Sequence, residues 1–190
     1  MRIVAGKNRG TKLAAPENWN TRPTADRTRE SLFGVLQGGR LGDVLTDALV
    51  VDVFAGTGAL GLEALSRGAT EVFFIEIDRE AVAALRENIA RLKADAASTV
   101  IQGDVLSLHR TAPRPANLIL MDPPYDSGLA VLALDRLHKG GWIDAETLIV
   151  VECGKTEELE VPEWLEVLDN RRYGKAQITF LRPSMSGAAD

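Results

Sequence analysis

From Leu49 onward, short runs of almost uninterrupted apolar residues alternate with helical stretches. Leu49-Val50-Val51-Asp52-Val53-Phe54 is followed by a helical stretch over residues 59–67 that stops at Gly68. Val72-Phe73-Phe74-Ile75 precedes a helix over 79–93, and short strands follow at Val100-Ile101 and at 118–121. A helix near 130–138 and a strand over 148–151 continue the pattern. A strand that is apolar at successive positions has both faces buried, and parallel neighbours need crossovers between them. The pattern predicts an α/β fold: a doubly wound, mostly parallel sheet of seven strands with helices on its faces. The C-terminal end differs. Residues 165–169 and 177–181 flank Arg171-Arg172-Tyr173-Gly174 and read as an antiparallel hairpin at the sheet edge.

Ahead of this body lies a different region. Ile3-Val4-Ala5 and Lys12-Leu13-Ala14 flank the turn Lys7-Asn8-Arg9-Gly10 and predict a small hairpin. Thr24 is placed to cap a helix running to about Gln37, with Leu32, Val35 and Leu36 on its apolar face. The link Gly38-Gly39-Arg40-Leu41-Gly42 leads into the main body. Net charge is −5, yet residues 1–40 carry eight Lys/Arg against three acids. A basic arm on an acidic body suits a polyanion, nucleic acid first, through Lys7, Arg9, Lys12, Arg22 and Arg27. A merely solvated basic face fits the charge count as well. The division is then an extension over 1–40 within the same domain, the main body over 41–183 and a frayed tail over 184–190.

Several classes fall away on composition. One cysteine, Cys153, excludes an internal disulfide and a cysteine-rich zinc site, and only two histidines, His109 and His138, accompany it. No metal is expected. The longest apolar runs, such as 118–121 and 148–151, are too short to cross a bilayer, and the N-terminus has no apolar signal core. A cytoplasmic protein without membrane partners is expected. Cys153, Trp142 and Trp164 read as packing residues, with Trp19 in the basic arm less clearly so.

Gly56, Gly58 and Gly61 sit between the first strand and its helix in G-x-G-x-x-G spacing. Such glycines let a ligand approach N–H groups at a helix N-terminus. Asp52, four residues before Gly56, argues against a dinucleotide because a carboxylate repels pyrophosphate. It suits a cation instead, such as the amino group of S-adenosylmethionine, whose carboxylate would take the helix N-terminus. Glu76, at the end of the second strand, is placed for two ribose hydroxyls, which serves NAD and S-adenosylmethionine alike; Asp78 is a nearby substitute. Asp104 is a candidate for an adenine amino group, or a surface turn acid.

Asp122-Pro123-Pro124-Tyr125 follows the strand over 118–121. Two prolines stiffen the turn and leave carbonyls free to accept. The Asp122 carboxylate and the Pro123 carbonyl can take the two hydrogens of an amino group on a planar ring, with Tyr125 stacked on that ring. Such an arrangement aims the nitrogen at a methyl donor.

The tetrapeptide and glycine loop resemble class I S-adenosylmethionine-dependent amino-methyltransferases. The whole chain resembles more closely the RsmD family, bacterial 16S rRNA guanine-N2 methyltransferases. Residues 22–33 (Arg22-Pro23-Thr24-Ala25-Asp26-Arg27 and onward) look like that family's N-terminal block. Residues 52–61, running into Glu63-Ala64-Leu65-Ser66-Arg67-Gly68-Ala69, look like its cofactor loop and first helix. Tyr173-Gly174 looks like its final hairpin. The resemblance implies a Rossmann-like methyltransferase fold and a monomer that methylates 16S rRNA, free or in an assembling small subunit. It implies S-adenosylmethionine held by Asp52, Phe54, Gly56, Gly58, Glu76, Ile77 and Asp104, with Arg22 and Thr24 lying over it. Asp122, Pro123 and Tyr125 would hold the target base. The alternatives are an adenine-N6 methyltransferase acting on DNA or RNA and a non-catalytic RNA-binding protein that keeps the cofactor pocket. An NAD oxidoreductase comes last, for want of a suitable acid–base residue.

Overall fold

A computed structural model describes residues 1–16 and 23–184, with the backbone alone for Pro23, Thr24 and Ala25. Helix α1 (Pro23–Leu36) leads into strand β1 (Leu49–Val53), α2 (Ala59–Ser66), β2 (Glu71–Glu76), α3 (Arg79–Arg91) and β3 (Ser98–Gln102). Then come β4 (Leu118–Met121), α4 (Leu129–Lys139), β5 (Leu148–Gly154), β6 (Leu165–Tyr173) and β7 (Ala176–Pro183). The seven strands form one sheet in the order β3-β2-β1-β4-β5-β7-β6. Strands β1 to β5 are parallel, while β7 is antiparallel to both β5 and β6.

The expected α/β sheet is present, with two refinements. The last strand, β7, lies inside the sheet and is buried along most of its length, whereas β6 forms the edge and is largely open. Two connections carry no α-helix: only a turn of 3-10 helix, Val105–Ser107, lies between β3 and β4, and residues 155–164 join β5 to β6.

Strand alternation sorts the interior into two layers. Val50, Phe74, Leu118, Leu120, Leu148 and Val150 face α1, α2 and α3. Val51, Val53, Ile119, Met121, Ile149 and Val151 face α4 and the fully buried Trp142, which meets Phe73 edge-on at 5.0 Å. Cys153 is buried in this second layer, and burial beside acidic neighbours pushes its thiol up to about 11. It has little thiolate to offer as a nucleophile. Trp164 stacks on His138 at 4.3 Å. Trp19 and residues 185–190 lie outside the described residues.

The predicted N-terminal hairpin is present around one antiparallel bridge, Arg2 with Lys12: the Ile3 N–H donates to the Thr11 carbonyl, the Gly10 N–H to the Ile3 carbonyl and the Leu13 N–H to the Met1 carbonyl. Other backbone donors of the arm go to the body. Val4 and Ala5 donate to the carboxylate of Glu63 at 2.8 and 2.9 Å, and Asn8 donates to Ser66 Oγ. Ala14 donates to Asn88 Oδ1 at 2.6 Å. Ile3 and Leu13 insert into the α1–α3 layer, so the arm is packed onto the body rather than standing free. Gly6 has φ +78°, and a Cβ there would lie 1.8 Å from the Ser66 carbonyl oxygen. Only glycine fits this close approach.

Candidate active site

Acidic residues gather where four parallel strands end. Asp52 on β1 pairs with Phe74 of β2 on one side and with Leu120 of β4 on the other. Glu76 lies two residues beyond Phe74, and Asp122 two beyond Leu120. The β4–β5 register runs to Met121 with Val151, so Asp122 and Glu152 are the next pair. The two-residue period turns Glu76, Asp52, Asp122 and Glu152 to the face carrying α1–α3 and the arm. Across the sheet they follow one another in strand order, β2, β1, β4, β5.

The glycine loop is built around two of them. Phe54 leaves β1 with φ +59°, a conformation that a bulky residue adopts only when its surroundings impose it. The Gly56 N–H donates to Glu76 Oε2 at 2.7 Å, and the Asp78 N–H donates to Oε1 at 2.7 Å. Glu76 is therefore locked in orientation, and a carboxylate has further lone pairs for hydroxyl donors. Asp52 is almost wholly buried and accepts from the Gly61 N–H at 2.8 Å. It thus takes one of the helix amides expected for the cofactor, and burial holds its carboxyl well above the ordinary range. Gly61 has a packing reason: a Cβ there would lie 2.5 Å from Phe74 Cε1 and 2.8 Å from Val72 Cγ1.

On the far side of β2, Ile77 is an exposed apolar side chain. Asp104 is exposed and accepts from the Leu106 N–H at 2.9 Å, capping the turn after β3. The strand end of β3 meets that of β2, where the Gly103 N–H donates to the Glu76 carbonyl at 2.9 Å. Arg22 lies outside the described residues, as does the side chain of Thr24.

At the other end of the row, the Asp122 N–H reaches the Val53 carbonyl at 3.4 Å, extending the β1–β4 ladder by one step. Pro123 is buried, and Tyr125 is half-exposed with its hydroxyl donating to Glu152 Oε1 at 3.2 Å. Asp122 is exposed, but crowding by protein and then the neighbouring Glu152 charge raise it to about 7. Burial also raises Glu152, and the Tyr125 hydroxyl partly offsets this. Glu152 was absent from the sequence-based candidates. Its only signal was an acid extending the strand over 148–151, and its role depends on the register with β4.

Lys7, Arg9, Lys12 and Arg27 are all exposed, and none forms an ion pair among the described residues. The first three ride on the docked arm. Asn88 of α3 couples that arm to the glycine loop, holding Ala14 and also donating to the Thr57 carbonyl at 3.0 Å. Among the described residues no cluster of three or more His, Cys, Asp or Glu is arranged to hold a metal, and no helix is long and apolar enough to cross a membrane.

A sheet in this strand order, with the glycine loop after β1 and the acid after β2, defines a class I methyltransferase fold. The family described as "Conserved hypothetical protein 95" matches residues 1–182, and the chain belongs to it: this is the RsmD family of methyltransferases. It is 42% identical over 152 residues to Ribosomal RNA small subunit methyltransferase D of Escherichia coli K12, covering 80% of this chain and 74% of that one. It is 34% identical over 177 residues to the protein of the same name from Haemophilus influenzae, covering 92% and 89%. A solved Escherichia coli structure, "Putative methyltransferase yhhF", superposes with TM-score 0.83 at 36% identity over 97% of this chain and 98% of that one. A precorrin-6y C5,15-methyltransferase from Geobacter metallireducens, 15% identical with TM-score 0.64 over 91% and 95%, shares the fold.

Proposed function

We propose that this protein transfers a methyl group from S-adenosylmethionine to the exocyclic N2 amine of a guanine in 16S ribosomal RNA. The observation that carries the reading is the position of Asp122, one ladder step past β4 and beside the loop built on Asp52 and Glu76. The small-subunit rRNA named for the Escherichia coli and Haemophilus relatives supports the substrate class.

The residues present fit the cofactor. The backbone-anchored Glu76 suits a ribose, the exposed Ile77 suits an adenine face, and Asp104 stands at the next strand end. Bound S-adenosylmethionine would supply a methyl group already activated on a sulfonium, so no metal is required. Phe54, Gly56 and Gly58 would line its path, with Arg22 and Thr24 over it. The amine of guanine is a poor nucleophile because its lone pair is delocalised into the ring. Asp122 and the Pro123 carbonyl would accept its two hydrogens and hold the nitrogen in line, while Tyr125 packs on the ring. Such positioning is the main catalytic contribution. The base must first leave its stack, at a cost of about a few kcal/mol. Lys7, Arg9, Lys12 and Arg27 would hold the surrounding phosphates.

The test is methyl transfer from labelled S-adenosylmethionine to small-subunit RNA, with the product nucleoside identified by mass spectrometry. Wild-type protein is expected to form N2-methylguanosine. Asp122→Ala is expected to lose most turnover and keep cofactor affinity. An Asp122→Ala protein that works at the wild-type rate would refute the mechanism.

A further inference from the structure

We infer that Glu152 reads the N1–H of the target guanine and so makes the site select guanine over adenine and cytosine. The inference rests on the guanine-N2 reading above and adds to it the residue that chooses the base.

Three observations meet at this point. The β4–β5 register sets Asp122 and Glu152 side by side on adjacent strands, facing the same way. Neighbouring strands are about 4.8 Å apart, so two carboxylates there reach neighbouring atoms of one planar ring. The catalytic turn folds back onto Glu152: the Tyr125 hydroxyl donates to it at 3.2 Å, and a Cβ on Gly154 would lie 3.6 Å from Tyr125 Cγ. Finally, neither carboxylate has a Lys or Arg ion-pair partner among the described residues.

Two adjacent acceptors with no cation between them suit a ligand presenting two adjacent donors. The RNA bases differ on this point. In guanine the exocyclic amine adjoins N1–H, a second donor. In adenine the amine adjoins N1, and in cytosine N3, both acceptors. Uracil has a ring N–H but no amine. With Asp122 on the amine, Glu152 would meet a hydrogen in guanine and a lone pair in adenine or cytosine. An acceptor facing a lone pair in a desolvated site is strongly rejected.

The test removes N1–H while keeping the amine. The methylated guanine, once mapped, is replaced in small-subunit RNA by 2-aminopurine through splinted ligation, and kcat/KM is compared for both RNAs. Wild-type protein is expected to prefer guanine by about 10- to 100-fold. In Glu152→Gln the amide can turn its NH2 toward an unprotonated ring nitrogen, so the preference is expected to fall at least about 10-fold. Comparing the ratio across both proteins cancels the loss of O6 in 2-aminopurine. Cofactor affinity and thermal melting of Glu152→Gln are measured alongside.

A wild-type protein that methylates 2-aminopurine as fast as guanine would overturn the inference, whether or not the variant folds. An unchanged ratio in folded Glu152→Gln would overturn it too, reducing Glu152 to a prop for Tyr125. Both results leave N2-methylguanosine as product and so spare the parent reading. Formation of N6-methyladenosine by the wild type would overturn both.

Discussion

Asn88, fully buried in the last turn of α3, donates to the carbonyl of Thr57 at 3.0 Å. The same side chain accepts from the Ala14 N–H and donates to its carbonyl, so one amide joins the arm, a helix and the glycine loop. Asn88→Leu would strand the Ala14 N–H and the Thr57 carbonyl. A loss of about 2–4 kcal/mol in urea unfolding is expected from these unsatisfied groups. Calorimetric affinity for S-adenosylmethionine is expected to fall as well, because the loop loses an anchor. Full affinity in a destabilised variant would show that the loop keeps its shape without Asn88.

Glu76 is expected to be costly to replace for two separable reasons. Glu76→Ala removes the acceptor of the Gly56 and Asp78 N–H groups as well as the acceptor proposed for the ribose. Both stability and cofactor affinity should fall, the latter by about 1.5–3 kcal/mol for a lost charged acceptor. Glu76→Gln keeps one acceptor oxygen and should recover more stability than affinity. Equal recovery of both in chemical denaturation and calorimetry would argue that Glu76 only shapes the loop.

The docked arm predicts a salt dependence of RNA binding. Lys7, Arg9 and Lys12 are exposed on backbone pinned to Glu63, Ser66 and Asn88, so replacing all three with Ala should leave the fold intact. The slope of log K against log salt should become shallower by about 2–3, at about 0.7–0.9 per phosphate contact. Cofactor affinity should not change. Filter binding between low and moderate salt measures the slope, and an unaltered slope would make the arm a solvated surface.

Activity should depend on the ionisation of Asp122. The carboxylate is a stronger acceptor for an N2 hydrogen than the protonated carboxyl, whose O–H can also face the amine, and Asp122 is raised to about 7. The value of kcat/KM should therefore rise with pH through neutrality and level off above it. Stability moves the opposite way. A carboxyl whose folded pKa lies above its unfolded value binds more protons when folded, so unfolding becomes easier as pH rises from about 4 to 7. Asp122→Asn removes the charge and should flatten that decline, visible as a gain in melting temperature at pH 8 relative to wild type. A wild-type rate constant across pH 5.5–8.5 would contradict the assignment.

Elements were readable wherever local pattern decides them. The apolar runs of β1, β2, β4 and β5 and the glycine loop needed only their own residues. Arm and site details depended on distant partners. The arm forms the hairpin its alternation suggests, but its docking on the body depends on Glu63 and Asn88, 59 and 74 positions away from the amides they accept from. The amide that Asp52 accepts from lies nine residues on and is placed there only once α2 forms. Phe54 extended the apolar run of β1, yet it turns with positive φ, which a bulky residue does not announce. Glu152 is a lone acid at the end of a buried strand, and its meaning comes from standing next to Asp122.

Because Glu76, Asp52, Asp122 and Glu152 occupy four consecutive strand ends, the sheet spaces them like the marks of a ruler. Three strand spacings, about 14 Å, separate the first acid from the last. On the proposed function, the two marks on β2 and β1 would measure out the donor, and the two on β4 and β5 the acceptor. Each half rests on its own pair of strands. If Glu152 reads the base as proposed, a change at position 152 would retune which base is admitted without moving the donor, giving this scaffold a way to acquire new nucleobase targets while its methyl-supplying half stays as it is.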